Sequence, residues 1–140
     1  MNLGRFEEAL PLRRDVYSGR LRLNGEEQEI TLRAANNYAD VLSSLQRFEE
    51  ARSLLRRTIP VARRVVGESH GYTLTLRKIH AETLYRDAAA TLADLREAVE
   101  TLEDVEPIAR RVLGRAHPTV RATEVSLEIS RAVLRARGNA

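Results

Sequence analysis

Three histidines are the first residues to weigh as chemistry. His70 and His117 each stand three positions after a glycine, Gly67 and Gly114, and His80 falls within an apolar-periodic stretch. A zinc ion needs its ligands converging within about 2 Å of one point. His70 and His117 occupy equivalent places in two copies of one segment, and successive stacked helical units lie on the order of 10 Å apart. They are therefore expected to cap turns rather than share a metal, and His80 is expected to be a half-buried packing residue. Other chemistry lacks its partners. Glu26-Glu27 has no His, Lys or nucleophile beside it to complete an acid–base pair. Ser43-Ser44 lacks a G-x-S-x-G context, Asp87 to Asp94 has no calcium-loop spacing, and Gly4, Gly19 and Gly25 form no phosphate cradle. There is no cysteine, which excludes disulfides, thiolate zinc sites and cysteine nucleophiles. The expectation is a protein that is not an enzyme and takes neither cofactor nor metal.

The strongest pattern is internal repetition. Pro60-Val-Ala-Arg-Arg-Val-Val-Gly67-Glu-Ser-His70 returns as Pro107-Ile-Ala-Arg-Arg-Val-Leu-Gly114-Arg-Ala-His117, 47 residues on. Gly4-Arg-Phe6-Glu-Glu-Ala9 is echoed by Gln46-Arg-Phe48-Glu-Glu-Ala51, 42 residues on. A fixed period in this range marks stacked supersecondary units, each burying its apolar face against its neighbours.

Six helical segments can position those residues, read as Leu3–Leu23, Glu29–Leu45, Phe48–Val66, Tyr72–Tyr85, Leu92–Leu113 and Pro118–Ala136. Asn24-Gly25, Gly67 and Gly114 supply stops, and Pro118 suits a first turn. The change of period from 42 to 47 comes from Arg86-Asp87-Ala88-Ala89-Ala90, which the sequence allows as a longer loop or an extra helical turn. Thr91 and Asp94 follow with the spacing of a capping box. Pro60 and Pro107 lie inside their segments, where each removes a helical hydrogen bond. They imply a tolerated bend or a break. No stretch alternates with period two, so the fold class is all-α: an α-solenoid of about six antiparallel helices in three pairs, expected as one domain over residues 1–140.

With 43% apolar and 31% charged residues, the composition fits a folded soluble chain, and six aromatics and one Met leave an aliphatic core. The net charge is only +3. Arg13-Arg14, Arg56-Arg57, Arg63-Arg64 and Arg110-Arg111 alternate with Glu7-Glu8, Glu26-Glu27 and Glu49-Glu50, the pattern of a solvated helix surface. No window approaches the length of an apolar membrane span and no cleavable leader is read, so the cytoplasm is the expected location.

Taken repeat by repeat, Arg33 to Arg64 resembles a tetratricopeptide repeat. Tyr38, Ala39, Leu42, Phe48, Ala51, Leu55 and Thr58 fall at that family's packing positions, and Phe6, Ala9, Leu95 and Ala98 keep two of them in the other copies. The 42-residue spacing, the Gly-x-x-His turns and Asn36-Asn37 before Tyr38 are similar to the expanded repeats of kinesin light chains. Gly114-Arg-Ala-His117-Pro118-Thr119 and Thr31 to Glu50 carry most of that likeness. Two departures stand out: Lys78-Ile79 replaces Asn36-Asn37, and Arg13 stands where Leu55 and Leu102 do.

The resemblance implies a non-enzymatic scaffold or adaptor that binds peptide or helical segments on a concave surface lined by the first helix of each pair. The residues it implies are Arg33, Asn36, Asn37, Asp40 and Ser43, with Thr75, Lys78 and Glu82 from the next repeat. An Asn amide can bond both groups of an extended backbone, and Arg33 and Lys78 favour an acidic peptide. The alternatives are a helical-repeat nucleic-acid binder using the arginine pairs and a self-assembling spacer. The chain opens in a second-type helix and closes in a first-type one. It is therefore expected to be a piece of a longer array, or to pair with another copy through uncapped ends.

Overall fold

The computed structural model describes residues 3–139. Six α-helices follow one another: α1 (Leu3–Asn24), α2 (Glu29–Ser44), α3 (Phe48–Val65), α4 (Gly71–Tyr85), α5 (Leu92–Leu113) and α6 (Pro118–Gly138). Each expected segment is present, with ends shifted by no more than two residues. α2, α4 and α6 are the first helices of their pairs, and α1, α3 and α5 are second helices.

The repeats stack because α2, α3 and α5 carry their apolar side chains at helical spacing and have nowhere else to bury them, whereas α1 buries only Leu10. Leu32, Ala35, Ala39 and Leu42 of α2 are closed off from solvent, as are Ala51, Leu55 and Ala62 of α3 and Leu95, Ala98 and Leu102 of α5. Small residues where paired helices meet (Ala39, Ala51, Ala98) allow close approach, and leucines fill the space around them. Two of the buried hydroxyls are satisfied within their own helices: Thr58 Oγ1 donates to the Leu54 carbonyl at 2.8 Å and Thr123 Oγ1 to that of Thr119 at 2.7 Å.

Helix ends follow local chemistry. Gly67 (φ 99°) and Gly114 (φ 88°) hold the left-handed backbone at the ends of α3 and α5. Three residues later a histidine opens the next helix: His70 Nδ1 accepts from the Tyr72 amide at 3.0 Å, and His117 Nδ1 from that of Thr119 at 3.1 Å. Thr91 and Asp94 form the capping box of α5, with reciprocal bonds of 3.0 and 3.1 Å. Pro60 and Pro107 sit within continuous helices, so the outcome is tolerance rather than a break. Both prolines are exposed, which leaves the freed carbonyl of the preceding turn close to water. Pro11 lies inside α1 in the same way.

The five-residue insert is loop. Asp87 Oδ1 accepts from the Ala89 amide at 2.9 Å, and the Ala90 amide donates to the Asp87 carbonyl at 3.0 Å. Ala90 itself is buried in the core shared by α4, α5 and α6. The neighbouring Arg52 of α3 donates to the Thr83 carbonyl at 2.7 Å and to Asp87 Oδ2 at 3.0 Å, fastening the loop to the previous repeat.

The order of contacts sets the curvature. The backbones of α2 and α4, and of α4 and α6, approach closely, whereas among the described residues those of α1, α3 and α5 do not approach one another and meet only through side chains such as Tyr17 and Thr58. First helices therefore form a tight inner layer, and second helices splay on the outside. No helix of the described residues is long and apolar enough to cross a membrane.

Candidate functional site

The inner layer carries the residues singled out by sequence, but it presents them unequally. Arg33 and Asp40 are exposed on α2. Arg33 makes no ion pair or hydrogen bond among the described residues. Asn37, half-buried between them, lines two adjoining clefts between α1 and α2. Asn36 is also half-buried, with its Oδ1 closed off from solvent and unbonded. Ser43 is buried, and its Oγ accepts from Arg86 Nη1 at 3.4 Å. Thr75 is half-buried on α4. Lys78 Nζ pairs with Glu82 Oε1 at 3.0 Å, and Glu82 Oε2 accepts from Ser126 Oγ of α6 at 3.0 Å.

The charges of two repeats meet here. Asp40 keeps a solvent-facing side, yet the surrounding inner layer strips enough water to push its carboxyl above the ordinary value. Desolvation is the largest cause. Lys78, Arg13 and Arg86 pull the other way, and Glu82 adds to the rise. Asp40, Lys78 and Glu82 thus share one electrostatic field, with Arg13 from α1 and Arg86 from the α4–α5 loop completing it.

Arg13, Arg86 and Ser126 were not among the residues the sequence picked out. Arg86 bonds Ser43 and also lies 5.7 Å from the centre of the Phe48 ring, a cation–π distance. For Arg13 a signal was present: it stands at a register position that is leucine in both later copies. Arg86 and Ser126 had none, because their roles depend on loop geometry and on α6 stacking against α4.

Tyr38 and the remaining histidine pack rather than project. Tyr38 stacks on Tyr17 of α1 with ring centres 5.8 Å apart. Burial raises the Tyr38 hydroxyl above its ordinary value, and the Glu50 carboxylate adds to the rise. His80 is largely enclosed, and its Nε2 lies 3.0 Å from Glu97 Oε2 of α5.

A family model described as "Tetratricopeptide repeat" matches residues 1–64 and again residues 31–111. The chain belongs to the tetratricopeptide-repeat family. The two matches overlap over residues 31–64, as expected of tandem units. Repeats of this family generally mediate protein–protein interaction. No curated protein matches the chain.

Proposed function

We propose that this tetratricopeptide array is a non-enzymatic adaptor whose inner layer binds a peptide or helical segment of a partner protein. One observation carries the reading: Asp40, Lys78 and Glu82, from successive repeats, converge on the inner surface in a single electrostatic field. Arg33 and Asn37 extend that surface toward α1 with exposed or half-exposed polar groups. A segment crossing α2 and α4 would meet donors and acceptors in alternation, which favours a polar strand or helix with acidic residues placed for Arg33 and Lys78. Asn36 contributes through the part of its amide that remains open, since its Oδ1 is enclosed. The likeness of Gly114 to Thr119 to a kinesin light-chain turn supports an adaptor role.

The test is a selection from random displayed peptides. Selected binders are then measured by fluorescence anisotropy against the wild type, Thr75→Glu and Lys78→Ala. The expected result is a loss of about tenfold in the variants, the size of one charged or hydrogen-bonded contact at an interface. Equal affinity in all three proteins would place binding elsewhere.

A further inference from the structure

The two adjoining clefts between α1 and α2, of about 420 and 190 Å³, form one elongated slot. Its floor is apolar: Phe6, Ala9 and Val16 come from α1, and Ile30, Ala34 and Val41 from α2. Its rim is basic, with Arg5, Arg13, Arg20 and Arg33 against the single carboxylate of Asp40. None of the four arginines has a side-chain hydrogen bond or ion pair among the described residues, although elsewhere Arg47, Arg52, Arg63 and Arg64 are all bound to carboxylates.

The repeat register says what shape fits. One repeat on, the slot between α3 and α4 is occupied by α2, a helix that touches both. The positions equivalent to Arg13 and Arg20, 42 residues later, are Leu55 and Ala62, and both are fully buried. A helix fits this geometry, but an apolar one is the wrong occupant for the α1–α2 slot. It would cover two guanidinium groups and leave them unpaired, a cost several times that of a lost neutral hydrogen bond. The occupant must bring carboxylates.

We propose that the α1–α2 slot is a docking site for an acidic amphipathic helix of a partner protein. Arg13 and Arg20 are seven residues apart on α1, two turns or about 10.5 Å. The matching helix carries Asp or Glu one heptad apart, with small or aliphatic residues between them to lie on Ala9, Val16 and Ala34. Guanidinium–carboxylate pairs at that spacing fix the register, and the apolar stripe supplies the contact area. The site adjoins the inner surface of α2 and α4 and shares Arg33, Asn37 and Asp40 with it. It stands whether or not that surface takes a peptide, so the test changes α1 residues that the peptide test leaves untouched, Arg20 lying outside the field around Asp40.

The probe is a hydrocarbon-stapled peptide of about 16 residues, stapled because free helices of this length are marginal in water. It carries Glu at two positions a heptad apart and Ala and Leu on the same face. A control peptide replaces both Glu with Lys. Binding is measured by anisotropy to the wild type, to Arg13→Glu/Arg20→Glu and to Lys78→Ala, with circular dichroism to verify that each protein is folded. The expected result is salt-sensitive binding of the Glu peptide that falls by about tenfold or more in the α1 double variant and by no more than about threefold in Lys78→Ala, which touches the slot only through the field around Asp40. The Lys peptide should not bind. No binding of the Glu peptide, equal binding of both peptides, or indifference to the α1 charges would overturn the proposal. So would a rise in mass with concentration in sedimentation without peptide, abolished by the same double variant, because it would put a second copy of the chain in the slot.

Discussion

Between α3 and α4 lies α2, packed in one core with Leu55, Ala62 and Ile79, each closed off from solvent. Between α1 and α2 the same register positions hold Arg13, Arg20 and Asn37, and both arginines are open to water. The backbone geometry repeats while the chemistry of the contact is inverted from aliphatic to cationic. A repeat period in sequence thus sets where helices can stack, and the side chains at three or four positions per slot decide what stacks there. The other end of the array shows a similar exchange. Arg121, Glu124, Glu128 and Arg131 of α6 line a cleft with Glu106 and Arg110 of α5, and Leu127 is the one aliphatic side chain in its lining.

The comparison breaks most sharply if the two slots are made to exchange residues. Leu55→Arg places a charge in the filled slot, where Glu97, the one carboxylate lining the neighbouring cavity, is already held by His80, and should cost on the order of 4 kcal/mol or more. That is a large part of a small domain's stability, so urea midpoints should collapse or folding should fail. Arg13→Leu, the reverse exchange in the open slot, should change stability by no more than about 0.5 kcal/mol. If the two substitutions proved equally harmful, the slots would not differ in the way described.

A second variant sharpens the filled side. Arg52→Ala removes the ties from α3 to Thr83 and Asp87 and should cost about 2 kcal/mol, the range for hydrogen bonds to charged groups. The Asp87 carboxyl is held below its ordinary value, first by the Ala89 amide and then by Arg52, which together overcome its desolvation. A depressed carboxyl stabilises the fold above its unfolded-state value, 3.8, and that contribution is lost as pH falls through the lower folded value. Urea midpoints of wild type and Asp87→Asn should therefore converge below about pH 4.

The smallest effect lies on the open side. Asp40 is raised in the folded state, mainly by desolvation, so the native protein holds that proton more tightly than the unfolded chain does. Stability then declines as pH rises through the raised value, and the cost is fully present at neutral pH. Asp40→Asn should stabilise by about 0.5 kcal/mol or less at pH 7, discounted for the solvent that Asp40 still meets. The difference should vanish at low pH. A destabilised Asp40→Asn at neutral pH would mean that Lys78, Arg13 and Arg86 outweigh the desolvation.

Most of the fold was legible in the residues. The glycines at 67 and 114 with their trailing histidines, the Thr91–Asp94 box and the aliphatic spacing of each helix are local signals, acting within a turn or two of where they stand. Prolines 60 and 107 were ambiguous, because whether a helix survives a lost bond depends on the packing around it. The insert at 86–90 was ambiguous for a like reason: its loop is fastened by Arg52, which lies 34 or more residues earlier in the chain. Of the candidate site, the sequence supplied the helix and the polar residues but not their facing.

By itself, then, the chain determined an all-α repeat with its periods, helix ends and aliphatic core, since these follow from short-range hydrogen bonding and periodicity. Tertiary structure alone decided that Ser43 and the Asn36 Oδ1 are enclosed while Arg33 and Asp40 face water, and that Arg13, Asp40, Lys78 and Arg86 share one field. Those outcomes depend on how neighbouring helices cross and on the water their packing displaces, quantities that no single helix carries in its own sequence.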